Sequence, residues 1–370
     1  MDKDYQNKFS HLYYRGRVGA AALLHALGIS NGDEVAIQAF TCMAIPEFVY
    51  ALGCKPVYID IEENGFNMSP ESLETKLTEK TKAIVVQHTF GIPAQIDRIM
   101  TIANKHHIPV IEDCCHTLTS TYDDKLLGTF GAGAFYSFEW GKPIIAGVGG
   151  AAIANTPELD KKMKQDYSNF TLPSFIKQMK LELQYRAFTF LYRPTWFWYV
   201  RSMFRLFSRF KIIEGNYNEI GQELWGNGEF ATIMSAKTQK RLHKKLLSLT
   251  QITKHAQYIA EEYTNKIQNT NTNVLLPTIP PKSGVVFARY PIRVKNKNDI
   301  LQKARANNIE LANWYDTPIH PITINQANCV GYESGTCPNA EIRCHEIVSL
   351  PVNLSVNQNF INKITRLFQS

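Results

Sequence analysis

The stretches IPVIEDCCH (residues 108–116) and GAFYSFEWGKPIIAGVGG (residues 133–150) decide the fold of this 370-residue chain. The apolar start of the first predicts a short buried strand that delivers Asp113 at its carboxyl end. The apolar start of the second predicts another strand, which is followed by a single lysine, Lys142, in a glycine-flanked loop. Each stretch therefore joins a buried strand to one side chain that can carry chemistry.

A lysine amine and a buried aspartate are the two groups that an enzyme dependent on pyridoxal phosphate requires. The amine of Lys142 would hold the cofactor aldehyde as a Schiff base. Asp113 would pair with the pyridinium nitrogen and keep it protonated, so that the ring acts as an electron sink. Taken alone, Lys142 could be a surface lysine and Asp113 a helix N-cap. Together they match what pyridoxal phosphate needs as a cofactor, and both interpretations stay open at this point; no metal site is predicted.

The first third of the chain alternates between strand and helix patterns. Four apolar or β-branched runs fit strands buried on both faces: 35–39, 56–60, 83–88 and 108–111. Helical patterns lie between them: 44–51, 70–77 and 95–106. This alternation predicts a doubly wound, mostly parallel sheet, and such sheets bind ligands at the carboxyl ends of their strands.

A helix of small apolar residues is predicted at 18–27, directly after Arg15-Gly16-Arg17. A glycine at the start of a buried helix can present backbone N–H groups to a phosphate. Glycine is common at helix starts, so this signal is weak by itself.

The segment 174–211 is dense in aromatic and basic residues, which predicts two amphipathic helices joined near Arg193-Pro194. Two interpretations remain open for it. It could be an interfacial hairpin that makes weak contact with a membrane surface or a lipid-linked sugar. Alternatively, it could cover the active site or contribute to a dimer contact.

The last third of the chain predicts a smaller α+β domain. A helix predicted at 240–255 precedes its other elements. These are a strand at 285–294, a helix at 297–307, and helices at 340–347 and 357–368 around a turn at Leu350-Pro351. We therefore predict a large domain over residues 1–245 and a small C-terminal domain over 246–370.

Composition sets limits on the class of protein. The chain is 44% hydrophobic and 20% charged, which is ordinary for a globular protein, and no apolar run reaches the ~20 residues that cross a bilayer. Seven scattered cysteines and an N-terminus without an apolar signal core predict a cytoplasmic location. The net charge of +7 permits anionic substrates and does not require nucleic acid.

An ordered set of motifs along the chain resembles the sugar aminotransferases of the DegT/DnrJ/EryC1/StrS family. Besides the two opening stretches, the motifs are GDEV (32–35), AFTC (39–42), GCKPVYIDI (53–61), TKAIVVQHTFGIPAQID (81–97) and SLPVN (349–353). The resemblance implies the aspartate aminotransferase-like α/β architecture, fold type I. This consists of a large domain with a mostly parallel seven-stranded sheet flanked by helices, and a smaller C-terminal α+β domain.

The resemblance also implies roles for particular residues. Lys142 would be the Schiff-base lysine and the proton shuttle, and Asp113 would bind the pyridine nitrogen. His116 stands where the family has Gln or His facing the phenolic oxygen of the cofactor. Ser137 would bind the cofactor phosphate.

Further cofactor contacts are implied at the start of the chain. The backbone around Gly16 and Arg17 would share the phosphate with the serine. Cys42 stands at or beside the position where many members stack an aromatic ring on the cofactor. Phe90 is a candidate for that stacking here.

The implied reaction moves an amino group from L-glutamate to a nucleotide-linked keto sugar in surface-polysaccharide or amino-sugar biosynthesis. The implied assembly is a homodimer with shared active sites. Two alternatives remain. One is a sugar dehydratase, although the members with that activity have His in place of the lysine. The other is a non-catalytic regulatory relative.

Overall fold

The computed structural model describes residues 9–210, 213–215, 225–269 and 273–368. In these ranges the strands are β1 His11–Tyr13, β2 Glu34–Gln38, β3 Thr41–Cys42, β4 Lys55–Ile59, β5 Thr81–Gln87, β6 Val110–Asp113, β7 Thr121–Tyr122, β8 Lys125–Leu126, β9 Gly133–Ser137, β10 Gly150–Ala154, β11 Ser283–Gly284, β12 Arg289–Arg293, β13 Ile319–His320 and β14 Ile347–Pro351. The α-helices are α1 Gly16–Ala26, α2 Ala44–Ala51, α3 Pro70–Lys76, α4 Ile96–Lys105, α5 Pro157–Ser168, α6 Phe175–Leu191, α7 Phe197–Arg209, α8 Ala236–Leu246, α9 Leu249–Gln268, α10 Lys297–Ala306, α11 Pro338–Glu346 and α12 Gln358–Arg366.

A seven-stranded sheet forms the centre of the described chain, in the order β4-β2-β5-β6-β9-β10-β1. The five strands from β4 to β9 are parallel, and β10 runs antiparallel to both β9 and β1. The mostly parallel seven-stranded sheet predicted from the sequence is therefore confirmed. Its parallel strands are rich in Val and Ile because helices cover both faces.

Local signals in the sequence set the helix boundaries. Helix α3 begins after Ser69, whose hydroxyl accepts the backbone N–H of Ser72 at 3.2 Å, and Pro70 occupies the first turn. Helix α1 is buried along almost its whole length, because its small side chains fit between the sheet and neighbouring helices. Gly16, at the start of this helix, lies against Tyr136 and Ser137 at the carboxyl end of β9.

The helix predicted at 240–255 is in fact two helices, α8 and α9. The chain turns at Leu247 and Ser248, where the N–H of Ser248 bonds to the carbonyl of Lys245 at 3.0 Å. Leu246 and Leu249 lie on either side of this break and belong to the same hydrophobic cluster.

The strand predicted at 285–294 was also too long, since β12 covers only its second half. The backbone N–H of Val286 bonds to the Ser120 hydroxyl at 2.9 Å, and that of Ala288 bonds to the Phe90 carbonyl at 2.9 Å. These two backbone N–H groups therefore donate to acceptors in neighbouring loops and do not form the hydrogen bonds of a β-strand.

The turn predicted at Leu350-Pro351 was wrong, because both residues lie in strand β14, which pairs with β12. Pro351 is the last residue of its strand, where a missing N–H interrupts no later pairing. The antiparallel pair and the helices α10, α11 and α12 give the C-terminal part its α+β character. The boundary at 245/246 stays a prediction.

Among the described residues, no helix has the length and apolar character needed to cross a membrane. The cytoplasmic location predicted from the sequence stays a prediction.

Candidate active site

One pocket lies at the carboxyl ends of β5, β6 and β9, where parallel sheets usually bind ligands. It has an empty volume of about 780 Å³, open solvent at its mouth included. Seven of the residues predicted from the sequence line it: Gly16, Arg17, Cys42, Asp113, His116, Ser137 and Lys142. The fold therefore brings together residues that are spread over more than a hundred positions.

Asp113 is the last residue of β6 and is 4% exposed. Its Oδ1 accepts the backbone N–H of Cys115 at 2.9 Å. Burial raises the pKa of the Asp113 carboxyl, and the positive charge of Lys142 acts against that rise. A carboxylate in such surroundings favours a bound cation, as a protonated ring nitrogen would be.

Lys142 lies in the loop after β9 and is half-buried. Its backbone N–H donates to the Glu139 carbonyl at 3.3 Å. Gly141 before it has φ +79°, and an added Cβ there would lie 2.7 Å from the Trp314 ring. Only a glycine fits both the conformation and the contact. The loop thus holds the lysine between the sheet and the C-terminal part of the chain.

His116 is a neutral imidazole in this pocket. Burial, assisted by the charge of Lys142, lowers the pKa of His116 well below its usual value. Its Nδ1 accepts the backbone N–H of Phe90 at 3.1 Å, so the ring proton must lie on Nε2. Nε2–H is therefore available to donate a hydrogen bond to a ligand oxygen.

Helix α1 begins two residues earlier than predicted, so that Gly16 and Arg17 form its first turn. The first N–H groups of a helix have no acceptor within the helix, and they favour an anion. An added Cβ on Gly16 would lie 2.9 Å from the Tyr136 carbonyl oxygen and 3.1 Å from Ser137 Cβ. Glycine therefore lets these amides approach Ser137 closely.

A buried network of ion pairs surrounds the start of helix α1. Arg17 pairs with Glu47 and lies 3.8 Å from Glu229. Arg15 pairs with Glu139 at 2.6 Å and with Glu229 at 3.1 Å. The two guanidinium groups are thus engaged by carboxylates, which leaves the backbone of the first turn as the part suited to a phosphate.

Cys42 lines the pocket from strand β3, and burial raises the pKa of its thiol, so it is a neutral, weakly polar group. Phe90 and His88 do not line the pocket. Phe90 packs behind the His116 ring with centroids 6.0 Å apart, and His88 bonds to the buried Glu112 at 3.2 Å. The stacking role considered for Phe90 is therefore wrong.

Several lining residues were not predicted, among them Trp314 and His320 from the C-terminal part. Strand β13 pairs with β3 and places His320 beside Cys42. The Trp314 ring is parallel to that of His116 within 9°, with centroids 6.1 Å apart. No local spacing in the sequence connects these residues, because only the tertiary fold brings them together.

The pocket fits pyridoxal phosphate. It has an acid at the end of a buried strand, an amine in the opposite loop, and an anion site formed by helix amides and a serine hydroxyl. Flat aromatic surfaces at His116 and Trp314 suit a planar ring. A mostly parallel sheet with these groups at its carboxyl edge defines the class of fold type I pyridoxal-phosphate enzymes.

The chain belongs to the DegT/DnrJ/EryC1/StrS aminotransferase family, whose model matches residues 15–188 and 226–369. This membership confirms the predicted family, the aminotransferase class of enzyme and the cofactor. The family resemblance also places the chain in sugar metabolism. The roles of the individual site residues stay predictions.

Individual proteins are similar to this chain over most of its length. The chain is 28% identical to a pleiotropic regulatory protein of Geobacillus stearothermophilus, over 89% of this chain and 76% of that protein. It is 27% identical to a UDP-2-acetamido-2-deoxy-3-oxo-D-glucuronate aminotransferase of Pseudomonas aeruginosa, with the same coverage. A DegT/DnrJ/EryC1/StrS aminotransferase from Brucella abortus shares the fold, with a TM-score of 0.74, 22% identity, and coverage of 99% of this chain and 87% of that one.

Proposed function

We propose that this aminotransferase moves an amino group from L-glutamate to a nucleotide-linked keto sugar for polysaccharide or amino-sugar biosynthesis. The observation that carries the proposal is the placement of Lys142 and Asp113 in one pocket, at the edge of the sheet where ligands bind. The Pseudomonas relative, which acts on a UDP-linked 3-oxo sugar by its name, supports the substrate class.

When bound, pyridoxal phosphate would supply an aldehyde that accepts the amine and a ring that withdraws electrons from the reacting carbon. Lys142 would hold the cofactor through that aldehyde. Released from it by the donor, the Lys142 amine would act as the base and acid that moves one proton in each half of the reaction.

Other residues would bind and orient the cofactor. Asp113 would keep the ring nitrogen protonated, since its buried carboxylate favours a paired cation. His116 would donate Nε2–H to the phenolic oxygen. The amides at the start of α1 and the Ser137 hydroxyl would hold the phosphate.

Absorption spectra test this proposal. Purified protein with added pyridoxal phosphate should show the band of the lysine-bound cofactor, and excess L-glutamate should convert it to the pyridoxamine form. Lys142→Ala should lack the first band and the conversion. Protein that binds the cofactor but does not respond to L-glutamate or any other amino donor would contradict the proposal.

A regulatory function is the second candidate, because the Geobacillus relative carries a regulatory name over most of this chain. The same spectra separate the two, since a purely regulatory protein would show no half-reaction. The dehydratase alternative is less suited to this pocket, which has a lysine where those members have histidine.

A homodimer with shared active sites remains part of the proposal on the basis of the family resemblance. Sedimentation velocity of the holoenzyme should give a species of about twice the chain mass of 42.1 kDa. A monomer with full activity would contradict shared active sites.

A further inference from the structure

The segment 174–210, called the hairpin below, consists of α6, a short 3₁₀ turn at Pro194–Trp196, and α7. The family model stops at residue 188 and resumes at 226, so the turn and all of α7 fall outside the match. The turn and α7 therefore go beyond the sequence pattern that the family shares.

The inner side of the hairpin is attached firmly to the rest of the protein. The Phe188 ring packs on Trp140 of the pocket with centroids 4.4 Å apart. The Tyr192 hydroxyl donates to the Glu310 carboxylate at 2.6 Å, and the Trp198 indole N–H donates to the carbonyl of residue 309 at 2.8 Å. These contacts fix which sides of the two helices face outward.

The outer side of each helix exposes a stripe of large apolar residues. On α7 and the residues that flank it, the stripe has the helical spacing of three and four residues and is 44–66% exposed: Trp196, Tyr199, Met203, Leu206 and Phe210. On α6 the corresponding exposed residues are Ile176, Met179, Leu183 and Phe190. Contiguous exposed apolar surface of this kind marks a binding surface.

The hairpin also carries almost all of the net charge of the chain. Residues 174–210 contain seven Lys and Arg and one acid, a net +6 against +7 for the whole chain. Helix α7 contains three arginines and no acid. Arg205 is exposed next to the stripe residue Leu206. Long basic side chains beside aromatic and aliphatic residues are typical of helices that lie in a bilayer interface.

We propose that the hairpin docks the enzyme onto the surface of a bilayer containing anionic phospholipids. The apolar stripe of α7 enters the boundary between headgroups and acyl chains, and the basic residues bind lipid phosphates. A second copy of the chain is a poorer occupant, because two hairpins related by a two-fold axis would bring together two surfaces that each expose Arg186, Arg193 and Arg205. This proposal does not depend on the proposed function.

Vesicle co-sedimentation of the full-length holoenzyme tests the proposal. We expect the protein to pellet with phosphatidylcholine vesicles that contain about one-third phosphatidylglycerol, and not with phosphatidylcholine alone. Raising the salt from about 50 mM to about 500 mM should release much of it, because basic residues near a charged surface are then screened. The double variant Tyr199→Ser/Leu206→Ser should bind at least about tenfold more weakly.

The matched control is Ile342→Ser, an equally exposed apolar residue on α11, which should leave vesicle binding unchanged. A retained absorption band of bound pyridoxal phosphate in every variant shows that the fold and the pocket are intact. Equal pelleting of the double variant and the wild type would overturn the proposal. Wild type that stays in solution at low salt would do so as well, and a loss of self-association in the double variant would then assign the stripe to a second copy.

Discussion

At the scale of single residues, strand β6 carries two adjacent acidic residues with different surroundings. Side chains alternate along a strand, so Glu112 and Asp113 point to opposite faces of the sheet. Glu112 accepts backbone N–H groups from Gly128, Phe130 and Gly131 at 2.7–2.9 Å, and it thereby holds the loop before β9. Asp113 faces the pocket. One acid therefore maintains the fold and the other serves the site.

Asp113→Asn should slow the L-glutamate half-reaction by about 10²–10³-fold, because the amide cannot keep the ring nitrogen positive. The Asn oxygen can still accept the Cys115 N–H, so the stability should change little. Stopped-flow spectra of the holoenzyme give the rate, and urea unfolding gives the stability.

The matched variant is Glu112→Gln, which should behave in the opposite way. Weakened bonds to buried N–H groups should cost about 1–3 kcal/mol of unfolding free energy, while the rate per folded molecule is retained. If the two variants lost rate and stability alike, the division of roles would be wrong.

His320 makes the unfolding free energy depend on pH. Burial lowers the pKa of His320 to about 4, whereas an unfolded histidine titrates near 6.5. Between these values the unfolded chain binds a proton that the folded chain does not. The contribution of His320 to the free energy of unfolding should therefore be fully present above about pH 6.5. As the pH drops towards 4, the free energy of unfolding should fall with a slope of up to about 1.4 kcal/mol per pH unit. Urea titrations of wild type and His320→Gln over this range should show a shallower slope for the variant, and parallel slopes would exclude His320.

The sequence was sufficient to find the residues that carry the proposed chemistry and not those that enclose it. Lys142 and Asp113 follow apolar strands and sit in recognisable motifs. Trp314 and His320 lie in the C-terminal third, and their neighbours in sequence give no sign of a pocket. Their placement depends on the pairing of β13 with β3, a long-range contact that local patterns do not encode.

At the scale of elements, the start of helix α1 is the feature on which the proposed phosphate site depends. Its start was predicted two residues late because Arg15-Gly16-Arg17 offers no side-chain cap, and the helix has none. By contrast, helix α2 was predicted at its observed bounds and α3 within one residue, since Ser69 and Pro70 mark the start of the latter. Elements that lack such signals depend on tertiary packing for their ends.

Gly16→Ala should weaken the binding of pyridoxal phosphate by about tenfold or more, because the added Cβ displaces the amides from a charged ligand. Fluorescence titration of the apoenzyme would measure this. The control is Gly28→Ala, at φ +88°, where the added Cβ meets nothing within 4 Å. It should cost about 1 kcal/mol of stability through backbone strain and leave cofactor affinity unchanged. Equal affinities in the two variants would remove the helix start from the phosphate site.

At the scale of the whole molecule, the pocket is built from both ends of the chain. The Trp314 ring rests on Gly141 next to Lys142 and runs parallel to His116. The C-terminal part thus closes one side of a pocket whose Asp113 and Lys142 come from the end of β6 and the loop after β9.

Trp314→Ala should therefore lower the affinity for pyridoxal phosphate by about tenfold, since an aromatic contact and its buried area are lost. Trp314→Phe should retain most of the affinity because it keeps a flat ring. The same titration of the apoenzyme measures both. An unchanged affinity in the alanine variant would show that this wall does not contact the cofactor.

The central claim is that Lys142 holds pyridoxal phosphate in this pocket. The most direct measurement is to reduce the holoenzyme with borohydride, digest it and locate the pyridoxyl group by mass spectrometry, with Lys142→Arg as the control that keeps the charge. We predict one modified peptide, labelled at Lys142, and no specific label in the variant. Stoichiometric labelling of another lysine, or equal labelling of the variant, would contradict the claim.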